Sequence, residues 1–337
     1  MKLDTVFAPT SLTAIPAIAR AADDMGFAGI WTAETSHDPY LPLALAGEHT
    51  ERIELGTSIA VAFPRSPLVH AQIAWDLAAQ SKGRFILGLG TQVKGHNERR
   101  FGITWEAPGP RLREMILCIR AIWDCWQNGT RPRFEGTHYR FTLMTPFFSP
   151  GPISHPTIPI WIAGVNTYMC ELAGELCDGF HVHPFHSVRY LRESLLPEIG
   201  RGLAKSQRTR GDITLGTSAF VIAGDTDEEI ARARDPVRMQ IAFYASTRAY
   251  VRVLEAHGWA DTCTRLNEKA AKGDWMGMAS EITDEMLDVF AITCRWDDVA
   301  TRIQARYAGI LDRVALYVPF HPDVHRERWA SIVRAFA

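Results

Sequence analysis

His181 and His183 stand two apart in the run GFHVHPF. On an extended strand, residues two apart share a face, so both rings point one way. Such a pair can ligate a metal on a barrel wall, the basis of a metal-dependent hydrolase. The other chemistry open to it is a single pocket-facing His183 acting as acid, base or orienting donor. Glu34 closes the apolar run IWTAE, with His37 and Asp38 just behind it. A carboxylate there can accept hydrogen bonds from a ring N–H or hold a substrate group; its other reading is a barrel-rim ion pair. The loop Gly164-Val165-Asn166-Thr167 follows Ala163 and precedes a helical pattern. Its free N–H groups and the helix dipole suit a phosphate, although an ordinary strand-to-helix turn needs the same residues. HNERRFG, His96 to Gly102, is a further polar cluster whose arginines either meet a ligand or bridge to neighbouring segments.

Those residues need elements to hold them, and short apolar runs alternate with helical patterns along the chain. Strand-like runs are Leu3 to Ala8, Gly29 to about Ala33, Ile53 to Val61, RFILGLG ending at Gly90, IPIWIAG ending at Gly164, DGFHVHPF, ITLGTSAFVIAG and Asp312 to Phe320. Helices follow each, opened by capping residues such as Thr10 or Ser11, Ser66-Pro67 and Asp225-Thr226. The helix Pro110 to Gln127 carries Ile116, Ile119, Ile122, Trp123 and Trp126 near helical spacing. Eight such repeats with continuous apolar strands predict an α/β fold of the (β/α)8 barrel type. An open doubly wound sheet would want a glycine-rich fingerprint after the first strand, and VFAPTSL has none. Two stretches break the rhythm: a hairpin and proline-rich loop near 130–157, and a helical insertion near 246–290. One domain, 1–337, is expected.

A barrel of this kind works at the carboxyl ends of its strands. Few charged residues fall there, so the mouth reads as apolar with isolated polar groups, which suits a flat aromatic ring. The formal charge of −2 offers no basic footprint for nucleic acid or an anionic membrane. No apolar run of about 18 residues is present to span a bilayer, and the amino terminus lacks the pattern of a secretory signal. A cytoplasmic location is expected. The six cysteines form no CxxC pair; buried thiols are the expected reading.

FAGIWTAE, RIELGTSIAV, GRFILGLGTQ, IPIWIAGVNTYMCELAGELCDGF and DRVALYVPF resemble the bacterial luciferase-like superfamily, and are most similar to its branch that uses the deazaflavin coenzyme F420. The resemblance implies a bulge with a non-proline cis peptide at Ser58-Ile59, pressing on the cofactor ring with Val61 beside it. It implies Glu34 as a partner of the ring. Thr91, Gln92 and Asn97 would line the cofactor, and Ala163, Gly164, Val165, Asn166 and Thr167 would cradle its phosphate. Two positions depart from the family's sugar-phosphate dehydrogenases. Thr35 stands where they have histidine, and Val93 where they have glutamate. Sugar-phosphate oxidation is therefore not expected.

The expected activity is hydride transfer between F420 and an uncharged organic small molecule, with His37, His183 and Glu34 as candidate catalytic groups and no metal. An FMN-dependent monooxygenase is the alternative, and the metal-dependent hydrolase a further one. The resemblance also implies a homodimer or higher homo-oligomer. Substrate-side residues are expected around Tyr40, the loop 143–157 and the insertion 246–290.

Overall fold

A computed structural model describes residues 1–7 and 11–337. The expected end of the first strand at Ala8 and the cap Thr10 lie outside the described residues; Ser11 does cap, accepting a hydrogen bond from the Thr13 N–H. The strands are β1 (Lys2–Val6), β2 (Gly29–Thr32), β3 (Glu54–Thr57), β4 (Ala60–Val61), β5 (Phe85–Gly90), β6 (Phe134–Glu135), β7 (Arg140–Phe141), β8 (Ile160–Ala163), β9 (Gly179–Val182), β10 (Thr214–Gly224), β11 (Ala291–Arg295) and β12 (Arg313–Leu316). Parallel pairing runs β1–β2–β3–β5–β8–β9–β10–β12 and closes where Lys2 pairs with Arg313. This is a closed eight-stranded (β/α)8 barrel, and β4 continues the third position after a break.

Helices wrap the outside because their apolar stripes need the strands' outer faces. The helix Pro67–Gln80 starts on Ser66, whose hydroxyl accepts from the Val69 N–H, with Pro67 in the first turn. Gly26, at φ 98°, ends the helix Ile15–Met25 in a left-handed turn that a side chain would resist. Inside the barrel Trp31, Ile86 and Trp161 form a separate apolar cluster. Glycines on neighbouring strands make room for it. A Cβ on Gly56 would lie 2.3 Å from Trp31, and one on Gly179 would lie 2.2 Å from Trp161.

Three readings need correction. The run Ile53–Val61 is not one strand: it breaks between Thr57 and Ala60. Residues 246–290 are helical, but the short run Ala291–Arg295 after them forms β11. It extends the upper half of the long β10 outside the barrel circuit. Five residues bounded by helices carry too little periodicity to announce a strand. The last strand ends at Leu316 rather than Phe320. The expected hairpin is present as the two-residue ladder of β6 and β7, held at its turn by Glu114, whose carboxylate accepts from the N–H groups of Thr137, His138 and Tyr139. All six cysteines are buried and free. Among the described residues no helix is long and apolar enough to cross a membrane.

Candidate functional site

The carboxyl ends of the strands surround a cavity of about 390 Å3. Phe7, Ile59, Ala163 and Pro184 contribute apolar wall; Ser58, Thr217, His183 and Tyr317 contribute the polar groups. Trp31, Trp161 and His181 form its deep end. Beneath them Arg313 donates to both oxygens of Asp4, at 2.8 and 2.7 Å, and Trp31 Nε1–H donates to Asp4 at 2.9 Å. Both charges are nearly water-free, and the fork geometry offsets their desolvation.

His183 faces the cavity in one defined state. The Phe185 N–H donates to its Nδ1 at 3.2 Å, which leaves the ring hydrogen on Nε2. Tyr250 stacks on the ring at 4.3 Å between centroids, and Tyr244 meets it edge-on at 4.6 Å. Burial, followed by the neighbouring His186, pushes its pKa down to about 3. The imidazole is neutral at pH 7, a hydrogen-bond donor rather than a cationic acid. Its neighbour on the wall, Tyr317, shares a hydrogen bond with Tyr244 through the two phenols, and burial pushes the Tyr317 ionisation up. His181 is wedged against Trp31 and Trp161 at 4.9 Å each. Burial lowers its pKa to about 3. Among the described residues no three or more His, Cys, Asp or Glu side chains gather as a metal ion requires, so the HxH pair has no further protein ligands beside it.

At the break in the third strand the Ser58–Ile59 peptide is cis, and Ser58 and Ile59 both face the cavity. Behind Ile59 lies Gly90, where a Cβ would come within 2.7 Å of the isoleucine side chain. A second cavity, about 260 Å3, adjoins the first across Phe7, Thr32 and Ala33. Thr35, His37 and Asp38 line it.

The chain matches the family model for luciferase-like monooxygenases over residues 4–313. It belongs to the luciferase-like family. A Mycobacterium tuberculosis protein described only as uncharacterized is 46% identical over 314 residues, covering 93% of this chain and 92% of its own. A 5,10-methylenetetrahydromethanopterin reductase of Archaeoglobus fulgidus is 31% identical over 311 residues, 90% of this chain and 89% of its own. Among solved structures, the coenzyme F420 dependent tetrahydromethanopterin reductase of Methanopyrus kandleri superposes with a TM-score of 0.79 at 21% identity, over 99% of this chain and 97% of that one. That last likeness speaks for the fold. By family, the chain is an oxidoreductase.

Of the residues anticipated for a luciferase-like site, Ser58, Ile59, Ala163 and His183 meet on one cavity. His37 is exposed and belongs to the adjoining one. Glu34 lines neither. Its carboxylate is bound by the Val61 N–H at 2.7 Å and by both Nη atoms of Arg65, at 2.9 and 3.0 Å. The geometry is that of the rim ion pair, with both carboxylate oxygens engaged by Arg65. Val61 is likewise behind the wall, fully buried. In the turn after β5, Gln92 takes φ 57° and its amide oxygen accepts from the Val93 N–H. Buried Asn97 donates to the carbonyls of Thr91 and Val93, so it holds that turn together. Around Gly164, Asn166 caps the helix Thr167–Leu176 by accepting from the Met169 N–H at 3.0 Å. The Thr167 hydroxyl donates to Glu198, which is paired with Arg252. A Cβ on Gly164 would fall 2.3 Å from Met169, so the turn itself demands glycine there. Val165 accepts from the Tyr190 hydroxyl at 3.4 Å. Tyr40, expected on the substrate side, is buried against His70 instead.

Tyr317 was legible in principle, since it follows Ala315 at the strand period and both face the cavity. Tyr244 and Tyr250 had no such signal: they arrive from helical segments outside the barrel. Arg65 could be inferred only from the need of Glu34 for a partner.

Proposed function

We propose that this oxidoreductase transfers a hydride between coenzyme F420 and an uncharged, largely apolar organic substrate. The observation that carries the reading is the cavity itself. Its roughly 390 Å3 lies in the usual range of about 300–1,000 Å3 for small-molecule sites. The Ser58–Ile59 bulge forms one wall and a neutral His183 another; among the described residues no charged side chain lines it apart from Asp4, whose charge is already paired with Arg313. These residues fit a planar tricyclic ring. Ile59 and Ser58 would support one side of it, and the backbone from Ala163 to Thr167 would face its phosphate. When bound, the coenzyme would give or take the hydride; the protein excludes water and orients the partners. His183 Nε2–H and the Tyr317 phenol are the donors available to a substrate atom that gains electron density. His37, on the second cavity, would meet a larger substrate that extends beyond the first.

Fluorescence titration of the purified protein with oxidised F420, and separately with FMN, tests this. Saturable micromolar binding of F420 with FMN failing is the expected result. Binding of FMN alone would replace the reading with flavin monooxygenation, in keeping with the name of the family model. Binding of neither would remove it.

A further inference from the structure

The backbone from Ser58 to Ala62 leaves the regular ladder between β3 and β4, yet its polar groups are tied down from behind. Ser58 N–H donates to the Thr32 carbonyl at 2.6 Å, and the Ile59 carbonyl accepts from the Glu34 N–H at 3.2 Å. Val61 N–H donates to the Glu34 carboxylate, which Arg65 grips with both Nη atoms. Arg65 also donates to Asp38 at 2.9 Å, and the other Asp38 oxygen accepts from the N–H groups of Tyr40 and Leu41. The Tyr40 hydroxyl donates to His70 Nδ1 at 2.7 Å, and His70 Nε2–H donates to the Ala62 carbonyl at 2.9 Å. The circuit therefore leaves the bulge at Val61 and returns to it at Ala62. Three of its members are withdrawn from water: the Glu34 side chain is 7% exposed, that of Arg65 17%, and His70 is fully buried; Asp38 is the exposed edge of the circuit. Glu34, Arg65 and His70 line neither cavity, while Ser58 and Ile59 line the larger one.

We propose that Glu34, Arg65 and His70 are positioning residues: without touching the ligand, they fix the depth at which Ser58 and Ile59 face the cavity. A bidentate charged contact holds direction as well as distance, and here it holds one N–H of the bulge. With Glu34 gone, Val61 N–H loses its acceptor and Arg65 keeps a charge with only Asp38 to meet it. Ile59 has Gly90 behind it and the cavity in front, so a released bulge moves along that line. The consequence for cofactor affinity rests on the F420 reading; the consequence for the backbone does not.

Hydrogen exchange of the ligand-free protein, read by mass spectrometry on a peptide spanning Ser58 to Phe63, separates the two. Glu34→Ala is expected to speed exchange there by ~10-fold or more, the size of one charge-assisted hydrogen bond, and to leave the rest of the barrel unchanged. Glu34→Gln keeps an oxygen for Val61 and should stay within about threefold of wild type. Should the alanine variant fail to fold, Arg65→Lys keeps the charge, loses the fork and should give an intermediate rate. F420 affinity and the emission of the bound coenzyme should follow the same order, and Gly90→Ala, which pushes Ile59 forward with the circuit intact, should weaken F420 binding without speeding exchange. Equal exchange in wild type and Glu34→Ala, or faster exchange spread evenly over the chain, would overturn the proposal. If wild type binds neither F420 nor FMN, the cofactor reading falls while exchange still decides the positioning role. If the bulge loosens and F420 binds as before, the positioning role in binding falls and the cofactor reading stands.

Discussion

His70, His181, His183 and His186 sit where water does not reach, and burial lowers their pKa values from 6.5 to about 4, 3, 3 and 4. Secondary causes differ, but loss of hydration leads in each. The folded state therefore binds fewer protons than the unfolded chain once the pH drops below about 6.5. The stability these neutral rings contribute is fully present above that pH and is lost progressively as pH falls toward 4. A tenfold loss of proton affinity at one ring is worth about 1.4 kcal/mol, so four such groups withdraw several kcal/mol together. The melting temperature should hold from pH 8 to about 7 and then fall steadily between about 6.5 and 4.5, before most carboxylates titrate. A melting temperature flat down to pH 5 would mean that these rings are hydrated in solution. The same burial keeps the His183 imidazole neutral at pH 7, so the ring brings no charge into the cavity and presents a hydrogen on Nε2.

Among the elements, the strands can close around the cavity only because particular positions lack a side chain. At Gly88 on β5 a Cβ would stand 1.7 Å from the Thr57 carbonyl oxygen and 2.8 Å from His181 Nε2. Neither neighbour can give way, because one is backbone of the adjacent strand and the other is wedged between tryptophans. Gly88→Ala should cost about 3 kcal/mol or more, visible in urea unfolding as a lower midpoint at unchanged slope. Wild-type stability in that variant would show that β3 and β5 are further apart than described. The same economy joins helices: Gly202 on Leu196–Lys205 lies against the Glu171 carbonyl of Thr167–Leu176, where a Cβ would fall 2.0 Å away. Sequence displays these glycines without saying which are turns and which are contacts.

For the whole molecule, closure of the barrel depends on the first and last strands meeting. Arg313 on β12 grips Asp4 on β1 and also pairs with Glu54 on β3. Cation–ring contacts with Trp31 and Trp161 cover the guanidinium. Removing one buried charge leaves the other uncompensated, so Arg313→Met should destabilise the fold by about 3–5 kcal/mol, and adding Asp4→Asn should recover part of that loss. Thermal unfolding of the single and double variants checks it; a double variant no more stable than the single would show that the pair is not what Asp4 depends on. The insertion also reports at this scale, because Tyr250 stacks on His183 and Arg252 pairs with Glu198 beside the Thr167 helix. A residue remote in sequence thereby backs His183, which lines the cavity.

The sequence by itself determined the barrel, because each apolar run and each helical stripe states locally which face must leave water. It also determined which runs carry their carboxyl ends to the cavity, hence the neighbourhood of Ser58, Ala163 and His183, although the break after Thr57 and the stop at Leu316 were not among its signals. The resemblance located the bulge. What tertiary structure decided was the pairing of polar groups: that Glu34 meets Arg65 and the Val61 N–H, that Tyr40 meets His70, and that Tyr244 and Tyr250 enclose His183. β11 belongs to the same class, since five ordinary residues became a strand only because the upper half of β10 had an edge to offer. Periodicity records burial, a property of each residue against solvent. Partnership is a property of two residues brought together by the fold, and hydrogen bonds are settled only there.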